Sequence, residues 1–426
     1  MIIETERKKI RDLMQKEIVP AIGCTEPIAV ALCTAKTTEL LEEIPDKIEV
    51  YLSSNIVKNA MGVGIPGTNM TGLPIAIALG ALIGKSDYGL EVMKDLKPDD
   101  VEKAKQYIEE KRIKINLTTS IPDKLYIEVR GSNGENKAVA VIRGGHTTFT
   151  HLEKNSEVLL DKVVTAEEED NEDVNLTFKK VYEYAVESPL NELEFILEAA
   201  KMNKNASLES KNNSYGHNVS KTILSKNGKK IFGDNLHSKM IAATTGACDV
   251  RMDGAMVPVM SNSGSGNQGI ASTLPVLSFA ENIDCTREQL IRALILSSLS
   301  MIYIKQYMGR LSALCGCVIA STGSSCGITY LMGGNFEQVE LAAKNMIADI
   351  TGMICDGAKP SCALKIASGV STATLSALMA LENQGVSAQE GIIDEDIDKT
   401  IKNLAKIGNK GMKLTDEIVL DIMLKK

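Results

Sequence analysis

The chain has 426 residues, 44% hydrophobic and 24% charged, with 55 acidic against 47 basic side chains and a net charge of −8; that length predicts about two or three domains. The acidic balance, the 4% aromatic content and the lack of Trp leave neither a basic face nor base-stacking side chains, so no nucleic-acid partner is expected. No apolar run reaches the roughly 18 residues of a membrane span and the first segment, MIIETERKKIRDLMQKE, is charged throughout, so the expectation is a cytoplasmic protein with no membrane partner whose nine Cys are thiols or metal ligands.

Residues 1–16 carry Ile3, Ile10, Leu13 and Met14 near helical spacing and predict an amphipathic helix. Pro20, Gly23 and Pro27 turn the chain, and Thr25 is the expected N-cap of a helix running to about residue 41. A strand is expected near residues 48–54, a Gly-rich stretch over 61–68, and an apolar helix from about Leu73. Over 113–175 the character changes: IKINLTT, KLYIEVR, KAVAVIR and HTTFTHL alternate apolar and polar residues and are rich in β-branched types. Ser132, Asn133, Gly134 and Glu135 between two of these runs signal a hairpin. The acidic run 167–173 reads as a solvated linker. From about 175 onward Ala, Leu, Ile and Met recur at helical spacing between Gly/Ser loops, with no repeat of fixed period. The fold class expected is α+β: a large mostly helical domain (1–112 and 176–426) with a small antiparallel β-rich domain, 113–175, inserted near its N-terminal side.

Six Cys (285, 315, 317, 326, 355, 362) fall within residues 285–362. Cys33, Cys285 and Cys326 sit beside small or apolar residues and read as buried small hydrophobes. Cys355 and Cys362 are joined by six residues that include Asp, Gly, Lys and Pro, so both sulfurs can converge on one object across a loop. Soft thiolates suit zinc or an iron–sulfur cluster. Structural zinc usually brings paired C-x-x-C, absent here, whereas cluster ligands need only converge in space; both readings stay open on spacing.

Cys24 lies at the mouth of a helix, where the helix N-terminus lowers a thiol pKa; it is either a reactive thiol or an inert turn residue. Residues 261–269, SNSGSGNQG, place Ser261, Asn262, Ser263, Gly264, Asn267 and Gln268 before an apolar helix, whose backbone N–H groups could hold a carboxylate or phosphate. The stretch lacks the Lys of a P-loop. Residues 61–68, with Gly67 and Thr68, form a second, weaker candidate of this kind. His146 and His217 follow glycines and serve either acid–base or structural roles.

The strings IVPAIGCTEP, SSNIVKNAMGVGIPGT, MSNSGSGNQGIASTLPV, RLSALCGCVIA and ADITGMICDGAKPSCALK, in this order over nearly the whole length, resemble the L-cysteine desulfidase family. More distantly they resemble the catalytic chain of iron–sulfur-dependent L-serine dehydratases. The resemblance implies a [4Fe–4S] cluster held by three Cys with one iron open to substrate, and no pyridoxal phosphate. It makes Cys355 and Cys362 two of the ligands and Cys315 the third, with Cys317 as the alternative, so that 176–426 is an iron–sulfur catalytic domain. It makes Cys24 the active-site thiol. The dehydratases' extra C-terminal Cys is missing from the closing DIMLKK.

The expected function is elimination of sulfide from L-cysteine to give pyruvate and ammonia. The open iron acts on the β-sulfur, Cys24 acts as thiolate base, and the 261–269 loop with Gly67 and Thr68 grips the carboxylate. Lys359 balances cluster charge or touches the substrate. L-serine dehydration, a non-catalytic thiol or iron–sulfur sensor, and a zinc hydrolase are the rivals. The partner expected is a small amino acid, and a homodimer is the default assembly.

Overall fold

The computed structural model describes residues 2–118, 125–162, 174–309 and 312–425, so the acidic run 167–173 lies outside the described residues. Helix Glu4–Glu17 (α1) buries Ile10 and Met14 and leaves Ile3 exposed. The short strand Pro20–Ala21 (β1) pairs antiparallel with Val259–Met260, which ties the start of the chain to a segment far along it. Thr25–Leu41 (α2) follows, and its cap differs from the expectation. Cys24 occupies the N-cap position, and Thr25 is the first helical residue because its hydroxyl is engaged elsewhere, donating to the Gly264 carbonyl at 3.3 Å.

Next come Lys47–Leu52 (β2), Ser54–Ala60 (α3), the hairpin Gly64–Ile65 (β3) with Met70–Thr71 (β4), Leu73–Ile83 (α4) and Pro98–Glu109 (α5). The strands Ile113–Leu117 (β5), Tyr126–Asn133 (β6), Asn136–Arg143 (β7), Phe149–Lys154 (β8) and Glu157–Asp161 (β9) complete a six-stranded sheet in the order β5-β2-β6-β7-β8-β9. Its β6–β7 hairpin turns at Gly134 and Glu135, with Gly134 at φ +55°. The sheet is mixed, not purely antiparallel as expected. β2 and β5 run parallel, with Val50 opposite Ile115, because the helices between them carry the chain back to the starting end. Alternate residues Ile48, Val50 and Leu52, Ile127 and Val129, and Ala140 and Ile142 are fully buried on one face, in one cluster with α2 and α4. Each such Val, Leu or Ile contributes about 1.5–3 kcal/mol over its exposed state, which fixes the register, since a one-residue slip would turn the whole set outward.

The second core is helical. It is built by Phe178–Glu187 (α6), Leu190–Leu193 (α7), Ile196–Asn212 (α8), Val219–Leu224 (α9), Lys226–Phe232 (α10) and Leu236–Met252 (α11). After Val259–Met260 (β10) come Gly266–Ala280 (α12), Arg287–Met308 (α13), Gly316–Leu331 (α14), Phe336–Ile350 (α15), Cys362–Leu381 (α16), Ile397–Lys406 (α17) and Lys413–Leu424 (α18). Capping boxes at Asn235, Thr286 and Asn335 start α11, α13 and α15, each satisfying backbone donors that a helix start leaves open. α13 is buried on every side from Ala293 to Lys305, and α14 packs against it and against α12 and α16. α16 has the length and apolar composition to cross a membrane; here it packs on α11, α14 and α15.

Candidate active site

Four chain segments are brought to one place by long-range backbone pairing. The β1–β10 pairing is extended by Ser261 N–H donating to the Val19 carbonyl at 2.8 Å and Ser263 N–H to the Glu17 carbonyl at 3.0 Å, which lays the 261–269 loop beside Cys24. A bridge between Leu314 and Ile354 does the same for the other thiols. Cys315 N–H donates to the Met353 carbonyl at 2.9 Å and Cys355 N–H to the Ala313 carbonyl at 2.7 Å. Cys362 opens α16, so its position follows from the packing of α16 on α14. Together these segments enclose a cavity of about 100 Å³ lined by Cys24, Cys315, Cys317, Cys355 and Cys362.

The thiols differ in charge state. Cys317 donates a hydrogen bond to Cys315, which pulls Cys315 below the usual thiol pKa against the opposing effect of burial; Lys365 assists, and Cys317 is raised in return. Cys315 also caps the N-terminus of the 16-residue α14, which favours a thiolate there. Burial raises Cys355, with the Lys58 ammonium opposing, and pushes Cys362 up to about 12. Cationic partners stand close by. Lys365 donates to the Ile354 carbonyl at 2.8 Å and to Asp356 at 2.5 Å, and the buried Lys58 pairs with Asp416 of α18. Burial would raise the Asp356 carboxyl, but hydrogen bonds from Lys359 and Lys365 win and hold it at about 2.

Among the described residues, no group of three or more His, Cys, Asp or Glu converges tightly enough to hold a single metal ion. The donor set suits something wider than one ion: three soft sulfur donors, one before α14 and two at the ends of the 355–362 loop, around a shared cavity with Lys365 beside them. Cys315, Cys355 and Cys362 are therefore residues that could hold a thiolate-bound cluster, with Cys317 as the hydrogen-bond donor to the first of them.

Cys24 departs from the sequence expectation of a lowered pKa. Burial, at 2% exposure, raises it to about 11, outweighing the lowering by the Arg251 guanidinium. At neutral pH the group is a thiol, not a thiolate base. Alkylation of Cys24 by iodoacetamide is expected to climb about tenfold per pH unit from roughly pH 7 towards its pKa, followed by peptide mass spectrometry; a plateau below pH 9 would contradict the raised value.

The 261–269 loop divides. Ser263, Gly264, Asn267 and Gln268 line the cavity. Ser261 and Asn262 do not: the Ser261 hydroxyl donates to the Val19 carbonyl at 2.6 Å and the Asn262 amide to the Ser298 carbonyl at 3.3 Å, so both hold the loop in place. Gly67 and Thr68 also stand outside the cavity lining. The Thr68 hydroxyl donates to the Ile65 carbonyl at 2.7 Å and closes the β3–β4 hairpin. Lys359 points to Asp356 at 2.5 Å, and Lys365 lines the cavity in its stead.

The sequence reading did not single out Glu26, Asn59, Arg251, Lys305 or Lys365, all of which line the cavity, as does His146. Arg251 lies between Asp249 and Asp253 near the end of α11, after the small and apolar run 240–248, and as the one Arg of that helix it was the available signal. It is 3% exposed and its Nε has no hydrogen-bond partner among the described residues; the Asn267 Oδ1 and Gln268 Oε1 atoms are likewise buried and unpartnered among them. Two glycines make the room. A Cβ on Gly266 would stand 2.3 Å from Arg251 Nε, and one on Gly316 would stand 2.4 Å from Gln268 Nε2. Unsatisfied buried polar atoms cost about 1–3 kcal/mol each, so one cation and two amide acceptors around a void are the mark of a site for a polar ligand.

A family model described as the serine dehydratase alpha chain matches residues 87–421. A protein of Bacteroides thetaiotaomicron is 60% identical over the full chain and 99% of its own length. One from Parabacteroides distasonis is 60% identical over 99% of the chain and 98% of its own length, and one from Oleidesulfovibrio alaskensis is 42% identical over the full length of both. All three carry the name UPF0597 protein.

Proposed function

The chain belongs to the serine dehydratase alpha chain family, and from that membership and the thiol-lined cavity we propose that it catalyses β-elimination on a small L-α-amino acid, with L-cysteine as the substrate and L-serine as the second reading. The observation that carries it is the sharing of one cavity by Cys315, Cys355 and Cys362 with the unpartnered polar atoms of Arg251, Asn267 and Gln268. The family match favours the serine reading; the resemblance of the strings around Cys24 and Cys355–Cys362 to L-cysteine desulfidases favours the cysteine reading.

In this reading Cys315, Cys355 and Cys362 would hold a [4Fe–4S] cluster. When bound, it supplies a Lewis-acidic iron that makes the β-substituent a better leaving group. Arg251 binds the substrate carboxylate through its planar fork. The Asn267 and Gln268 carbonyl oxygens accept from the substrate ammonium and fix the Cα–H direction. His146 lines the same cavity and can accept a proton on a ring nitrogen, so it is the base for the Cα proton. Cys24 keeps its proton on Sγ and acts as a donor. The products are sulfide (or water) and aminoacrylate, which hydrolyses to pyruvate and ammonia.

The test is anaerobic reconstitution with iron and sulfide, followed by sulfide and pyruvate assays on each amino acid. Equal release of sulfide and pyruvate from L-cysteine is expected. Pyruvate from L-serine alone selects the second reading, and L-cysteine binding without turnover selects a sensor. Cys355→Ala is expected to lose bound iron, visible absorbance and activity together; activity surviving in that variant would overturn the cluster assignment.

A further inference from the structure

A second cavity, of about 190 Å³, lies between α8, α9, α11 and α12 and shares no lining residue with the first. Its volume is several times the roughly 30 Å³ of one liquid water. The floor is apolar, formed by Leu224, Leu274 and Leu277 with Ala242. Three hydroxyls, on Ser207, Ser220 and Ser278, line it on side chains at least nine-tenths buried, and none has a hydrogen-bond partner among the described residues. Three lysines and one glutamate complete it. Lys204 pairs with Glu281 at 2.5 Å and is neutralised, whereas Lys239 donates to the Asn282 side chain at 3.2 Å and is only partly offset by the nearby Asp234 carboxylate. Lys211 pairs with no carboxylate among the described residues, so the mouth of the cavity keeps one uncompensated positive charge, with the partly offset Lys239 beside it.

We propose that this cavity is a binding site for a small aliphatic carboxylate, separate from the thiol-lined site. The chemistry is read from the lining. A leucine floor wants an alkyl body, free hydroxyls want an acceptor, and the unpaired Lys211 ammonium, with Lys239 near it, wants an anion. Inorganic phosphate would leave the leucine floor unfilled, and an alkylamine would meet the lysines with like charge.

The position gives the site a route to the other one. α11 carries Lys239 and Ala242 near its start and Arg251 near its end. α12 runs the opposite way, with Asn267 and Gln268 at its start and Leu274, Leu277 and Ser278 further along. At 1.5 Å per residue the two sites are about 9–14 Å apart along these helices, so an occupant wedged between α11 and α12 bears on both.

The test uses the full-length protein without added iron, so it does not depend on turnover. Binding of pentanoate, phosphate and butylamine is followed by ligand-observed NMR and by the shift in Tm. Pentanoate is expected to bind and to raise Tm, and the other two are not. The double variant Lys211→Ala/Lys239→Ala, at exposed positions, is expected to weaken pentanoate about tenfold or more. Arg251→Met, which removes the cation of the other cavity, is expected to leave it unchanged. Pentanoate binding that survives the lysine variant, that vanishes with Arg251→Met, or that phosphate matches would overturn the proposal.

Discussion

Asp416→Ala is expected to destabilise the protein by about 3 kcal/mol, read as a fall in the urea midpoint at unchanged m. The Lys58 side chain is 2% exposed and its ammonium pairs with Asp416, which brings α18 onto α3. Removing the carboxylate leaves a buried charge uncompensated, which costs far more than a surface ion pair contributes. Asp416 itself is 23% exposed, so water reaches the vacated position and the loss falls at the lower end of the range for buried pairs. Adding Lys58→Met to Asp416→Ala is expected to recover most of the stability, since an apolar side chain needs no partner. That double variant separates two roles of Lys58. Its ammonium faces the Cys355 thiol and opposes the effect of burial there, so iron retention after anaerobic reconstitution is expected to stay impaired even where the urea midpoint returns. Full recovery of both would reduce Lys58 to a packing residue.

The contrast between what the sequence made visible and what it hid follows the range of the interactions. Period-two alternation located β6, β7 and β8, and the β6–β7 turn was readable because Gly134 must take a positive φ. The direction of β5 was not readable, since alternation is the same in parallel and antiparallel strands and the outcome is set by the helices between β2 and β5. The thiols at 315, 355 and 362 were conspicuous as residue types in polar or Gly-containing surroundings. What joins them, the Leu314–Ile354 bridge, is a backbone event with no side-chain signature. Cys24 shows the same division. Its place at a helix start was legible and argued for a thiolate, but β1–β10 pairing buries it, and desolvation outweighs the helix end. The exchange of Lys359 for Lys365 was within reach: Cys362 and Lys365 are three residues apart on α16 and share a face, whereas Lys359 precedes the helix.

Arg251→Lys is expected to lower kcat/KM for the amino-acid substrate on the order of 100-fold, the loss of one or two charge-assisted hydrogen bonds at about 1.5–3 kcal/mol each. Lysine keeps the positive charge near Cys24 but replaces a planar fork with a point donor, so the variant isolates geometry from charge. A carboxylate is bound equally in ground and transition states, and the change is therefore expected mainly in KM with kcat largely retained. Gly266→Ala makes the same point from the opposite side. The added methyl would stand 2.3 Å from Arg251 Nε, so the guanidinium must swing away while every charged group of the cavity remains; the same rise in KM is expected. Cysteamine, which lacks the carboxylate, serves as the control, since wild type and both variants should then be equally poor. If Arg251→Lys instead lowers kcat at constant KM and shifts the pH dependence of Cys24 alkylation, the guanidinium acts on the thiol and not on the substrate, and the carboxylate must be held by the backbone N–H groups that open α12.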